Sequence, residues 1–348
     1  MSALEEARSF LSGYKGRRLR IMEVCGTHTH EIARDGIRNI LSPDIELISG
    51  PGCPVCVTPA GYIDEAVLLA LDKGCTITTF GDLVRVPGSE KSLADARRED
   101  ARIQVVYSPV DAVSYAREHP DEQVVFLSVG FETTTPSECL AVQEADREGI
   151  SNFSLLTANK TMPEAYLAMK DSTDAFLYPG HVHAITGTSI CEDFRDRYQI
   201  SGVIAGFTPE ELVVAIALCV KGLIKGQPFV VNAYPRVVRP EGSPKAVSLI
   251  EKYMEPVDAV WRGIGEIKGS GLALREEYAA FDARKKFSLP VIEGRDNPAC
   301  RCGDVLQGKC SSTECPLFGK VCTPEHPVGA CMVSSEGACS AFYLYRRK

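Results

Sequence analysis

Between residues 19 and 234 short β-branched runs alternate with amphipathic helical stretches, and this alternation limits the chain to few folds. "LRIMEV" (19–24), "IELIS" (45–49), "TITTF" (76–80) and "IQVVYS" (103–108) read as strands, each followed by a helical segment. In the segment 59–72, Thr58 is placed to cap, Pro59 takes the first helical position and Gly74 follows the end. Alternation of this kind implies parallel βαβ units. "VVFLSV" (124–129), "FSLLT" (153–157), "AFLYP" (175–179) and "GVIAG" (202–206) repeat the pattern about 100 residues later, a spacing typical of one domain. The first strand of each set runs into a threonine-rich loop, "CGTHTHE" or "GFETTTP". The fourth runs into a Ser/Thr-Pro-x-acid helix start, "YSPVDA" or "GFTPEE". The expected fold class is therefore α/β, with two similar parallel-sheet βαβ domains (1–120 and 121–240) facing a cleft. A strand "FVVNAY" (229–234) closes the second. Helices over 244–255 and 272–286 and a cysteine-rich tail from 298 make a smaller third domain, 241–348.

Ligands of open parallel sheets bind outside the carboxyl ends of the strands. The unusual loops "CGTHTH", "GPGCPVC", "GFETTTP" and "PGHVH" all fall on that edge. A net charge of −8 argues against nucleic acid or an anionic membrane as partner. The first twenty residues place acids before bases and lack an apolar core, so they do not read as a signal peptide. No apolar run approaches the length of a membrane span. The expected location is cytoplasmic, where fourteen cysteines are poor candidates for structural disulfides. Cys75, Cys139, Cys191 and Cys219 lie in apolar contexts and read as packing residues.

Seven cysteines crowd the tail: Cys300, Cys302, Cys310, Cys315, Cys322, Cys331 and Cys339. The paired Cys-x2-Cys knuckles of a zinc ribbon are missing, and the wide, Pro- and Gly-filled spacings suit a bulky cofactor. On chemistry alone an iron–sulfur cluster leads, with zinc and no metal as alternatives. Cys53 and Cys56, in the stiff "GPGCPVC" turn, can close a small disulfide; half of a zinc site is the other reading. The pair sits two residues ahead of the expected cap, so a thioredoxin-like placement is only approximate. Cys25 stands at a strand end beside Gly26, with His28 and His30 following, as a metal ligand or activated nucleophile would. A helix over roughly 31–41 would point its positive end at that loop and favour thiolate at neutral pH. Glu132, Thr133, Thr134, Thr135 and His181 are weaker cleft candidates. Neither a Walker A nor a GxGxxG motif occurs.

Together "CGTHTHE", "GPGCPVC", "GFETTTP", "PGHVHAITG" and "CPLFGKVCTPEHPVGACMVSSEGACSAFY" resemble the HypD family of [NiFe]-hydrogenase maturation factors, in that family's order and over nearly the whole chain. The likeness departs at His183 and Thr208. It implies a [4Fe–4S] cluster held by Cys300, Cys315, Cys322 and Cys339, making the third domain an Fe–S domain. Cys302 competes with Cys300 as first ligand, and Cys310 and Cys331 become spare thiols. It implies that Cys53 and Cys56 form a thiol–disulfide switch exchanging electrons with the cluster. It further implies that Cys25 coordinates the mononuclear iron of an Fe(CN)2CO unit under assembly. His30 would hydrogen-bond a cyanide nitrogen or deliver a proton, and His28 would shape the loop. The expected partners are a HypE-like cyanide donor and a HypC-like small chaperone. The rival expectations are an Fe–S thiol–disulfide oxidoreductase acting on another protein, and a zinc-stabilised binding module.

Overall fold

A computed structural model describes residues 2–345. Nine strands alternate with helices: β1 (Leu19–Glu23), β2 (Ile45–Ser49), β3 (Thr76–Thr79), β4 (Ile103–Val105), β5 (Val124–Ser128), β6 (Phe153–Thr157), β7 (Ala175–Pro179), β8 (Gly202–Ala205) and β9 (Val230–Asn232). A hairpin, β10 (Met254–Trp261) and β11 (Gly265–Leu274), follows. All pairings among the nine are parallel, as the alternation requires. The two helix starts with Ser/Thr-Pro-x-acid form capping boxes, Ser108 with Asp111 and Thr208 with Glu211.

The strands form two sheets, but they do not divide between them at residue 120. One sheet has the order β2-β1-β7-β8-β9 and the other β4-β3-β5-β6. The chain leaves the first sheet after β2, builds the second, and returns at β7. The grouping of 76–108 with 19–49, and of 124–157 with 175–206, is thus corrected. The reason is burial. Ile21 and Met22 of β1 are fully buried, so β1 needs a strand on each side, and the wholly apolar β7 supplies the second. Hydrophobic runs mark strands but do not name their neighbours. The internal likeness nevertheless survives in topology. In each sheet the chain steps from one strand to an edge, then crosses back to that strand's other side. This creates two switch points, β1/β7 and β3/β5.

Beyond residue 240 the helix Pro244–Tyr253 forms as expected, but 272–286 is not one helix. Its first residues complete β11, and the rest makes a 3-10 turn, Glu276–Phe281, and one turn of helix, Ala283–Lys286. Gly263 and Gly265, both at positive φ, turn the chain between β10 and β11, which converts the stretch into a ribbon. Fully buried Trp261 anchors the ribbon, stacking on Phe131 at 5.8 Å and donating to Ser270 Oγ at 2.8 Å.

One apolar cluster joins the two sheets to the tail. It contains Met22 and Ile48 of the first sheet, Phe131 from the end of β5, Trp261, and Cys302, Cys315, Cys322, Cys331 and Cys339. The last helix, Ala338–Tyr345, lies against the helix Gly26–Arg34. Cys75, Cys139, Cys191 and Cys219 are fully buried, as packing residues should be. Among the described residues no helix is long and apolar enough to cross a membrane.

Candidate functional site

Cys25 ends the extended segment after β1, at the β1/β7 switch point, and is the N-cap residue of the helix Gly26–Arg34. That helix begins five residues earlier than the expected 31–41. The "GPGCPVC" loop presses directly on it: Gly26 N–H donates to Gly52 O at 2.9 Å, and a Cβ at Gly52 would fall 2.1 Å from Cys25 N. Only glycine permits that approach. Burial pushes the Cys25 thiol up to about 12, outweighing the nearby backbone N–H groups of His28 and Thr27, neither of which caps the helix through the sulfur. The expectation of a thiolate at neutral pH is therefore corrected. In the unloaded chain Cys25 is a neutral thiol, because the helix start that should lower its pKa lies inside the protein.

A carboxylate that the sequence reading missed completes this corner. Glu336 accepts from Thr27 Oγ1 at 2.6 Å, and its Oε2 would lie 2.8 Å from a Cβ on Gly26. It sits in the quoted "SSEGACSAFY", a stretch read only for its cysteine. His30 is half-buried, with Nδ1 3.1 Å from Ser335 O and Nε2 3.3 Å from Tyr345 Oη, so it contacts the tail at both nitrogens. His28 is fully buried. Its Nε2 lies 2.9 Å from Gly206 O, Nδ1 has no partner, and its ring packs 4.8 Å from Phe207. Burial lowers its pKa to about 4. His181 stacks on the other side of this corner, 3.7 Å from Phe207.

Cys53 is the N-cap of a single helical turn, Pro54–Val57. Its sulfur accepts from Cys56 N–H at 3.4 Å. The pair thus opens a helical turn itself, closer to the thioredoxin arrangement than expected. Thr58, the expected cap of the next helix, ends this turn instead, and its hydroxyl donates to Pro54 O at 2.9 Å. The next helix is Ala60–Leu71. Both cysteines are buried, and burial, together with Cys53, Cys302 and Cys339 nearby, raises the Cys56 thiol well above its ordinary value. The structure therefore brings the pair beside the tail cysteines, about 250 residues away in sequence.

Cys315, Cys322 and Cys339 are buried and Cys300 is half-buried at the rim. Burial, with Cys302, Cys315 and Cys322 nearby, pushes the Cys300 thiol up to about 12, and burial, with Cys339 and Cys315 nearby, raises the Cys322 thiol. The backbone N–H groups of Val328, at 3.3 Å, and Gly329 donate to Cys322 Sγ. A Cβ at Gly329 would fall 2.7 Å from Cys300 Sγ. Four thiols, N–H donors aimed at sulfur and apolar walls make a donor set chemically suited to an iron–sulfur cluster. Among the described residues no three metal-ligating side chains are gathered for a single ion. Cys302 and Cys331 share a hydrogen bond, and Cys331 Sγ lies 3.2 Å from Cys339 Sγ. Cys331 is thus no bystander. A cavity of about 230 Å³ lined by Cys300, Cys302, Arg262 and Asp296 opens beside them. Cys310 lies apart, half-exposed, along a second cavity of about 400 Å³.

On the second sheet Glu132 is buried at the β3/β5 switch point. Its Oε1 accepts from Met162 N–H at 2.8 Å, Oε2 has no partner, and burial raises its pKa to about 7. Thr135 donates to Phe131 O and serves the loop, whereas Thr133 is exposed.

Comparison with known sequences follows the same outline. The family model HypD, described as "Hydrogenase formation hypA family", matches residues 3–346. The hydrogenase maturation factor HypD of Azotobacter vinelandii is 41% identical over 343 residues, covering 95% of this chain and 90% of that protein. The protein of the same name from Escherichia coli K12 is 41% identical over 350 residues, covering 99% and 94%. That from Rhizobium leguminosarum is 42% identical over 343 residues, covering 95% and 89%.

Proposed function

Because this chain belongs to the HypD family of hydrogenase maturation factors, we propose that it is the scaffold on which the Fe(CN)2CO unit of [NiFe]-hydrogenase is put together. The observation that carries the reading is the meeting of Cys25, the Cys53/Cys56 turn and the tail thiols at one sheet edge. Cys25 is the ligand for the iron under assembly. A soft, low-spin iron carrying cyanide and carbon monoxide favours thiolate, and binding it displaces the proton that burial keeps on the sulfur. Thr27 and Glu336 stand where that proton leaves. His30, anchored on Ser335 and Tyr345, lines the approach from the tail.

Cyanide comes from a HypE-like partner as a protein thiocyanate, and a HypC-like partner shares the iron. Cleaving the thiocyanate takes two electrons: the dithiol becomes the Cys53–Cys56 disulfide, the partner recovers its thiol, and hydrogen cyanide is released. Cys300, Cys315, Cys322 and Cys339 would hold a [4Fe–4S] cluster, which supplies one-electron chemistry beside the pair. Cys300 is first ligand on the family resemblance, and Cys302, whose thiol Cys331 holds below its ordinary value, is its competitor.

Protein purified anaerobically with its small partner should contain about four cluster irons and four acid-labile sulfides per chain. It should also show infrared bands from iron-bound cyanide and carbon monoxide. Cys315→Ala should lose the sulfide, whereas Cys310→Ala should keep it. A colourless, zinc-loaded protein sinks the cluster; a sulfide-containing protein that never shows the infrared bands sinks the scaffold.

A further inference from the structure

One guanidinium touches the two strand ends that lead into Cys25 and Cys53 and the helix that carries Cys339. We propose that Arg38 is a positioning residue that fixes Cys25, the Cys53/Cys56 turn and the Cys339 helix relative to one another and so sets the redox equilibrium of the pair. The inference rests on the redox reading given above. Arg38 lies on the 3-10 turn Ile37–Ile40, between the Cys25 helix and β2. Its Nη2 donates to the Glu23 carboxylate and, at 3.1 Å, to Ser49 Oγ; its Nη1 donates to Leu47 O. Glu23 and Ser49 are register partners and the last residues of β1 and β2. Glu23 runs through Val24 into Cys25, and Ser49 runs through Gly50, Pro51 and Gly52 into Cys53. On its third side the guanidinium carbon stands 5.3 Å from the ring centre of Phe342. Phe342 lies one turn beyond Cys339 on the helix Ala338–Tyr345.

Stability alone is a poor reason for this arrangement. Glu23 is fully buried, and a buried ion pair is often no better than a well-packed apolar pair. A planar, forked guanidinium instead fixes directions: one face for the ring, one edge for two strand ends. The second sheet provides a comparison within the molecule. Arg284 pairs with Glu65 at 2.7 Å and donates to Thr157 O at the end of β6, yet none of these partners leads into a cysteine loop.

The test is exchange with glutathione on the full chain purified anaerobically. Reduced glutathione gives two electrons to the Cys53–Cys56 disulfide, yielding the dithiol and oxidised glutathione. The trapped Cys53 and Cys56 states are then counted by mass. Arg38→Met should change the exchange constant at least tenfold, about 30 mV for a two-electron couple. Arg284→Met should lower stability and leave the constant alone. Arg38→Lys keeps the charge but loses the fork and the ring contact. It guards against a misfolded Met variant and should still move the constant at least threefold. A wild-type constant in both Arg38 variants overturns the proposal, and so does an equal shift in Arg284→Met. If the wild-type pair forms no reversible disulfide at any glutathione ratio, the redox reading fails and takes this inference with it.

Discussion

The carboxyl edges of the two sheets share a topology and differ in what the strand ends deliver. At the first, β1 runs into Cys25 and β2 into Cys53, Gly52 lets the two loops touch backbone to backbone, and the tail thiols close over them. At the second, the ends of β5 and β6 carry oxygen and nitrogen groups that bond to one another. Ser128 donates to Asn159 Oδ1 at 2.6 Å, and Asn159 Nδ2 serves Thr135 Oγ1 and the Glu138 carboxylate. Buried Lys160 lies over the Trp261 ring, 5.9 Å from its centre. One edge gathers soft, redox-active atoms. The other bonds its polar side chains to one another, with Glu132 Oε2 and Glu138 Oε1 left without a partner, and holds β5, β6 and the ribbon in place. A shared switch point offers a place for chemistry, and the side chains there decide whether any is done.

The largest expected effect separates the edges outright. Cys25→Ser should still fold, at a cost of about 1–3 kcal/mol for burying a smaller, more polar hydroxyl where a neutral thiol stood. It should nevertheless abolish hydrogenase maturation in a complementation assay, because a hydroxyl is a hard, weak ligand for low-spin iron. Glu138→Gln, on the second edge, changes a group that bonds to Asn159 and meets no cysteine loop, and should leave maturation within about twofold. If Cys25→Ser matures hydrogenase at the normal rate, the first edge does not hold the iron.

A middle-sized effect probes how tightly each edge is drawn together. Gly52→Ala puts a Cβ 2.1 Å from Cys25 N and 2.3 Å from its Cα, so backbone must move; a loss of about 3 kcal/mol is expected. Gly130→Ala, in the turn after β5, puts a Cβ 2.5 Å from the Cβ of half-buried Thr134, which side-chain rotation cannot move, so a single helix start must shift; about 2 kcal/mol is expected. Urea midpoints of the two variants measure the difference, and equal losses would show that the first edge is no more constrained than the second.

Much of this contrast could be read in the residues. The strands, their parallel pairing, the cysteine loops at strand ends and the two capping boxes follow from local patterns, because period, proline and cap chemistry act within a few residues. Strand order does not. β1 chooses β7 over β3 through burial of a whole face, and no nearby residue encodes that choice. The cysteines of the site were visible as residue types with rare spacing. Glu336, Arg38 and the Cys302–Cys331 contact were not, since each acts through a partner far off in sequence. The protonation state of Cys25 is hidden for a related reason: the sequence shows the helix start, but the burial that overrides it belongs to the assembled cleft.

The smallest effect is one of pH, and its sign differs between the edges. Burial raises the Glu138 carboxyl from 4.5 to about 7. The folded state therefore keeps a proton that the unfolded chain releases, so Glu138 contributes stability that is complete below pH 4.5 and lost as pH rises to about 7. His28 on the first edge is the reverse. Its pKa falls from 6.5 to about 4, so its contribution is present above pH 6.5 and lost as pH falls. Glu138→Gln removes the first slope and leaves the second. Relative to wild type the variant should gain stability between pH 5 and 7.5, on the order of 3 kcal/mol at most. His28→Asn should gain relative to wild type in the other direction, from pH 7 down to pH 5. Urea midpoints at three pH values decide the matter. A gap between Glu138→Gln and wild type that stays constant with pH would mean that the carboxyl is ionised in the fold and that the second edge is not the closed, self-bonded network described above.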